Sequence, residues 1–150
     1  MKVKAIRLSN SRGEEVLSSP WITLGREYVV LGIYTYAKGP FAGPMVRLIP
    51  DEGGRMPTLF SLADFQISDS RPSGLWRVGF DGNELAIEPE AWQLPNFWAV
   101  FFGDMPDLLV VGQQSPIPDL TERFDVAVRA MMDEAGMNWV GDPDEGPAGG

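Results

Sequence analysis

Carboxylates are the side chains in this sequence whose type and spacing could do chemistry. Asp104 and Asp107 bracket a Met-Pro pair beside an aromatic segment, and Asp64 and Asp69 stand on either side of a short predicted strand. Acid/base hydrolysis requires two such groups held in one cleft with separated pKa values. The Asp104 and Asp107 spacing is more typical of a solvated turn, because Asp and Pro are common turn residues.

Other residue types and motifs that are common in catalytic sites are absent from the sequence. The chain has no histidine and no cysteine, which excludes the commonest general base, the commonest zinc ligand, thiolate nucleophiles and disulfides. Its paired glycines, such as Gly53 and Gly54, fall between predicted strands and do not open a helix, so a phosphate-binding loop is not indicated. We therefore expect a binding protein with no catalytic residue, no cofactor and no metal ion.

Charge is distributed unevenly along the chain. Residues 84–150 contain thirteen Asp and Glu against two Arg and no Lys, whereas residues 1–83 contain ten basic and eight acidic side chains. The formal net charge of −9 therefore arises entirely in the second part. A sustained negative potential repels nucleic acid and attracts basic protein surfaces. This pattern predicts a basic protein partner and no binding to nucleic acid, and it leaves the oligomeric state open.

Five residues of this acidic part are the candidate partner-binding residues. A tryptophan beside carboxylates is typical of an interface, where aromatic anchors are surrounded by a polar rim. The alternative is that the aromatic side chains belong to the core and the acids to a solvated face. The candidates are Trp98, Asp104, Asp107, Glu122 and Asp125.

Alternating polarity predicts a mainly antiparallel β protein. The best strand, Glu27–Tyr36, is apolar on both faces and contains Gly32, which indicates a bulge or a sharp coil. The other strands are predicted at Val3–Leu8, Met45–Ile49, Met56–Phe60, Phe65–Ile67, Leu75–Phe80 and Glu84–Glu88, the last two as a hairpin.

The second part of the chain contains one clear helix. Apolar residues from Leu120 to Ala135 follow helical spacing, which predicts a helix over Asp119–Ala135 that ends at Gly136. The aromatic segment Trp92–Phe102 is compatible with either a short helix or a strand.

These elements predict one α+β domain over residues 1–140, a curled antiparallel sheet or small SH3-like barrel with a C-terminal amphipathic helix. Residues 141–150, rich in Gly, Pro and acids, are predicted to be disordered. No apolar run approaches the roughly 20 residues that span a bilayer, and the N-terminus lacks the apolar stretch of a signal peptide. We expect a soluble cytoplasmic protein that does not bind membranes.

The pattern from residue 22 to residue 80 resembles that of small SH3-like barrel proteins, which are found among the immunity proteins of bacterial toxin systems. The resemblance is carried by Gly25, Tyr28–Gly32, Leu48, Ile49, Asp51, Glu52, Leu59, Phe60, Asp64, Phe65, Ile67 and Trp76. It implies a protein that occludes a toxin and performs no chemistry of its own. Two alternatives remain: a carboxylate-dependent hydrolase that uses either Asp pair, and a peptide-binding module with an aromatic groove.

Overall fold

The computed structural model describes residues 1–36, 43–52, 56–81, 84–94, 96–103 and 120–137. These residues form eight strands and two helices, together with two short 3-10 turns. The elements are β1 (Lys2–Ala5), β2 (Glu27–Val29), β3 (Gly32–Thr35), β4 (Met45–Leu48), β5 (Thr58–Ser61), β6 (Phe65–Asp69), β7 (Trp76–Asp81), β8 (Glu84–Pro89), α1 (Phe97–Phe101) and α2 (Leu120–Glu134).

The strands form two antiparallel sheets. The smaller has the order β2-β1-β6 and the larger the order β5-β4-β3-β8-β7. The predicted α+β class and the β7–β8 hairpin are confirmed, and β3, β4 and β5 form a meander. The two sheets do not close into a barrel, so the SH3-like barrel implied by the resemblance is not confirmed.

The prediction of one long strand over Glu27–Tyr36 is wrong. The chain leaves the smaller sheet after Val29 and enters the larger sheet at Gly32. Between them, Val30 N–H donates to the carbonyl of Met1 and Leu31 N–H donates to the carbonyl of Arg47. Because both faces of the segment are apolar and both sheets bury them, the sequence pattern continues across the change of sheet.

One hydrophobic core joins the two sheets to the helices. The rings of Phe60 in the larger sheet and Phe65 in the smaller sheet meet edge to face, with centroids 6.3 Å apart. Trp76 is buried, and its Nε1 donates to the carbonyl of Leu31 at 3.1 Å. The described residues therefore share a single core, which also includes Phe124 of α2.

The aromatic segment forms a 3-10 turn at Glu90–Trp92 followed by the short helix α1. Trp92 is 1% exposed, and its ring stacks with those of Phe97 and Phe124. The turn before α1 passes through Asn96 at φ 59°, a left-handed conformation that Asn tolerates better than most residues. Helix and strand were equally compatible with the sequence because most positions of this segment are apolar, which leaves no periodicity to distinguish them.

The predicted C-terminal helix is confirmed as α2. Phe124, Ala127, Val128, Met131 and Met132 are its buried stripe. Gly136, at φ +69°, ends it, and Met137 N–H donates to the carbonyl of Met132 at 2.9 Å. Among the described residues, no helix combines the length and apolarity that crossing a membrane requires.

Candidate functional site

Contacts at both ends of α2 fix its orientation. Near the N-terminal end, Trp92 Nε1 donates to the carbonyl of Arg123 at 3.3 Å. Near the C-terminal end, Glu134 accepts hydrogen bonds from Ser73 Oγ at 2.6 Å and from Gly74 N–H at 2.9 Å. With its apolar stripe in the core, the helix is held so that its opposite face points to solvent.

The solvent face of α2 combines carboxylates with an exposed apolar side chain. Glu122 and Asp133 are exposed and Asp125 is half-buried, while Val126 between them is 63% exposed. Arg129, which also lies on this face, has the favourable i, i+4 spacing from Asp125. The face thus presents three carboxylates and one guanidinium around an apolar centre.

A groove of about 920 Å³ runs along this face. α1 contributes Val100 and Phe101 to its lining, and α2 contributes the carboxylates of Glu122, Asp125 and Asp133. An apolar centre with a charged rim is the usual composition of a protein-binding surface. We call this surface the α2 groove.

The structure brings together only two of the five predicted partner-binding residues. Glu122 and Asp125 both line the α2 groove. Asp104 and Asp107 lie outside the described residues. Trp98 is half-buried and lines a different cavity, so it is not grouped with Glu122 and Asp125.

Trp98 instead covers a buried polar cluster. Its Nε1 donates to Glu88 at 3.2 Å from Oε1 and 3.4 Å from Oε2. The guanidinium carbon of Arg47 lies 3.7 Å from the centre of the Trp98 ring and 4.8 Å from that of Tyr34. Such stacking of a cation on aromatic rings is favourable, particularly away from water.

Tyr34 links the two charged members of this cluster. Its hydroxyl donates to Glu88 Oε2 at 2.8 Å and accepts from Arg47 Nε at 3.2 Å. Tyr34, Arg47 and Glu88 are 5%, 4% and 3% exposed. We call these three residues with Trp98 the polar cluster.

Burial controls the protonation of the polar cluster. Desolvation raises the pKa of Glu88 above its usual value of 4.5, opposed by the hydrogen bonds from Tyr34 and Trp98 and by the charge of Arg47. Desolvation also raises the pKa of the Tyr34 hydroxyl, so this group stays protonated at neutral pH. Both oxygens of Glu88 therefore accept hydrogen bonds within the cluster, yet its carboxylate is costly to ionise.

Gly32 makes room for this network. A Cβ atom on Gly32 would lie 2.6 Å from the Tyr34 hydroxyl oxygen, closer than such contacts allow. The glycine from which the sequence predicts a bulge or a sharp coil thus lets the tyrosine fold back along its own strand.

A cleft of about 610 Å³ lies between the larger sheet and α1, and the polar cluster forms part of its wall. Glu84 and Glu88 both line it, but they are four residues apart on β8. At roughly 3.3 Å per strand residue, their backbones are separated by about 13 Å. Paired carboxylates of glycoside hydrolases lie about 5–9.5 Å apart, so this pair does not match that chemistry.

The other carboxylate pair considered for hydrolysis is also separated. Asp64 ends the 3-10 turn immediately before β6 and Asp69 is the last residue of β6, so about 16 Å of extended chain separates them. Asp64 accepts from Ser9 Oγ at 3.1 Å, and Asp69 forms an ion pair with Arg71 at 2.7 Å. The contact with Arg71 lowers the pKa of Asp69, the opposite of what a general acid needs.

Sequence reasoning missed the polar cluster. Its signal was partly available, because Arg47 is the one charge in the otherwise apolar strand β4, and Glu88 follows the apolar stretch Leu85–Ile87 of β8. A buried charge requires a partner. Arg47 and Glu88 are therefore candidates to meet in the fold, which would place β4 and β8 on either side of one strand. Within the described residues, no group of three or more Asp and Glu side chains is arranged to hold a metal ion.

Comparison of the chain with protein-family models, curated proteins and solved structures gives no match. The geometry and charge of the α2 groove and the polar cluster are the observations that bear on function.

Proposed function

We propose that the chain is an immunity or inhibitor protein that binds a basic toxin, such as one of the nuclease type, in the cytoplasm of a bacterial cell. The observation that carries the proposal is the α2 groove, where Glu122, Asp125 and Asp133 line the same surface as the exposed side chain of Val126. This arrangement supports a protein partner because it supplies both attraction at a distance and an apolar contact.

The charge of the groove acts on the rate of association. Glu122 and Asp133 are exposed, so their field extends into solvent and is screened by salt. Electrostatic steering of this kind raises association rates by about 10-fold to 1,000-fold at low ionic strength. A toxin that acts on polyanions has a basic active site, which is the complementary surface.

The apolar lining acts on the lifetime of the complex. Val126 of α2 and Phe101 of α1 meet in the same groove, and Phe101 is itself held against Phe124, with ring centroids 4.9 Å apart. A rigid apolar centre binds without losing much conformational entropy. Covering the toxin's active site then inhibits it by occlusion, with no catalysis by this chain.

The direct test is co-expression with the toxin candidate encoded by the gene adjacent to that of the chain in its native genome. We expect the wild-type chain to restore growth and its association with the purified candidate to slow as salt increases. Glu122→Gln combined with Asp125→Asn should slow association about tenfold at low salt and leave dissociation nearly unchanged.

The matched control is Glu14→Gln combined with Glu52→Gln, which removes the same charge from two exposed positions of the first part of the chain. It should change association much less. The proposal fails if the candidate does not bind, if binding is indifferent to salt, or if both double variants have the same effect.

The second candidate function is a carboxylate-dependent hydrolase, and Glu88 is the observation that favours it. This carboxyl has a raised pKa and belongs to the wall of a cleft, as expected of a general acid. Hydrolysis of neutral nitrophenyl esters or glycosides by the wild type, and its loss in a folded Glu88→Gln variant, would favour the hydrolase over the inhibitor.

A further inference from the structure

The outer edge of β7 is the most exposed apolar edge among the described strands. β7 is the last strand of the larger sheet, and within the described part of the chain its only strand neighbour is β8. Val78 is 57% exposed and Phe80 is 77% exposed. Open edges with apolar side chains are surfaces on which another strand pairs.

The hydrogen bonds of Gln93 show which backbone groups of β7 point outward. Its Nε2 donates to the carbonyls of both Arg77 and Glu88, at 2.7 Å and 3.0 Å, so these two oxygens face each other between β7 and β8. Residues 77 and 88 are paired in this ladder. Since direction alternates along a strand, the N–H and C=O groups of Val78 and Phe80 point away from β8.

At the start of the same edge, the backbone groups of Trp76 already form hydrogen bonds within the chain. Trp76 N–H donates to the carbonyl of Ser73 at 3.2 Å, and the carbonyl of Trp76 accepts from Arg77 Nη1 at 2.8 Å. Among the residues that the structure describes, none hydrogen-bonds to the four outward backbone groups of Val78 and Phe80, which form the open stretch of the strand.

We propose that a second copy of this chain pairs with this stretch, β7 against β7, to form a dimer with one continuous antiparallel sheet. A two-fold axis beside Gly79 places Val78 of one copy opposite Phe80 of the other. This register uses all four outward backbone groups of each copy in four hydrogen bonds across the interface.

Side chains fit the same register. Val78 and Phe80 share a sheet face with Ile87 and Leu85, their partners on β8, so the apolar surface is continuous across the new interface. The register also places Arg77 opposite the position of Asp81 in the other copy, so residues of opposite formal charge occupy facing positions. Gly79 faces Gly79 at the axis, where the lack of a side chain permits close approach.

Sedimentation equilibrium of the full chain over a range of concentrations tests the proposal. We expect the apparent mass to rise from 16.5 kDa toward twice that value. Phe80→Lys should raise the dissociation constant at least about tenfold, since it removes the apolar contact on both sides of the axis. Val78→Pro should do the same by removing an outward N–H that β8 does not use.

The matched control is Ile67→Lys, a similar change at a 46% exposed position on β6, an edge strand of the smaller sheet. It should leave the dissociation constant unchanged. Circular dichroism and urea unfolding of each variant identify any loss of fold, and Phe80→Lys is expected to fold because its side chain is mostly exposed.

A charge exchange tests the register itself. Arg77→Asp should weaken the dimer, and adding Asp81→Arg should restore it. A monomeric wild type, a dimer indifferent to Phe80→Lys, or a failure of the double variant to recover would each overturn the proposal. So would a wild type that stays monomeric and gains amide protection at Val78 and Phe80 only when a partner protein is added, because the occupant would then be a foreign strand.

Discussion

The carboxylate of the polar cluster and those of the α2 groove differ in their exposure to water. Glu88 is 3% exposed and accepts hydrogen bonds from Tyr34 and Trp98, whereas Glu122 is exposed on α2. The buried carboxylate is costly unless every partner is in place, so changes to it or to its partners alter stability. The exposed one costs little and acts at a distance, so under the proposed function its contribution is to association. The proposal therefore assigns two separable roles to the same acidic composition.

Among the variants that test this comparison, Arg47→Met is expected to cause the largest loss of stability. Removing the guanidinium leaves Glu88 buried without the nearby positive charge and removes the stacking on Trp98. Loss of one member of a buried charge network typically costs about 3 kcal/mol or more of unfolding free energy. Urea unfolding measures it, with Arg12→Met as the control at an exposed arginine. Equal effects of the two variants would contradict a role for the polar cluster in stability.

Tyr34→Phe should have the next largest effect. It deletes the hydroxyl that donates to Glu88 and accepts from Arg47, leaving both buried groups short of a partner. A hydrogen bond to a charged group contributes about 1.5–3 kcal/mol. Tyr36→Phe is the matched control, because Tyr36 stacks on Tyr34 but is 41% exposed. Chemical denaturation of both variants should show a clear loss only for Tyr34→Phe.

The pH dependence of stability should identify Glu88 as the costly carboxylate. Its folded-state pKa is raised by desolvation, so above pH 4.5 the folded protein holds a proton that the unfolded chain has lost. Stability from this group therefore falls as the pH rises from about 4.5 through the raised pKa. Glu88→Gln should remove this fall, which unfolding measurements from acid to neutral pH can detect. A wild type and a variant with parallel pH profiles would exclude the assignment.

The sequence predicts an element well when the residues that define it are close together along the chain. α2 was predicted within one residue at each end, because its apolar spacing fixes one buried face from Leu120 onward. The positions of Glu122 and Asp125 on the face opposite the buried stripe followed from the same helical spacing. The polar cluster was not predicted because Tyr34, Arg47, Glu88 and Trp98 come from four elements whose neighbours only the sheet order defines. Trp98 was expected at an interface because its residue type favours one, but the buried carboxylate holds it inward.

The smallest effect on stability is expected at the α2 groove. Glu122→Gln combined with Asp125→Asn removes two charges that are exposed or half-buried, and such changes usually alter unfolding free energy by less than about 0.5 kcal/mol. The same variant is expected to slow toxin association about tenfold, so stability and binding should separate completely. Thermal unfolding beside association kinetics checks both quantities on one protein sample. A large loss of stability here would mean that these carboxylates support the fold, and the contrast with Glu88 would then disappear.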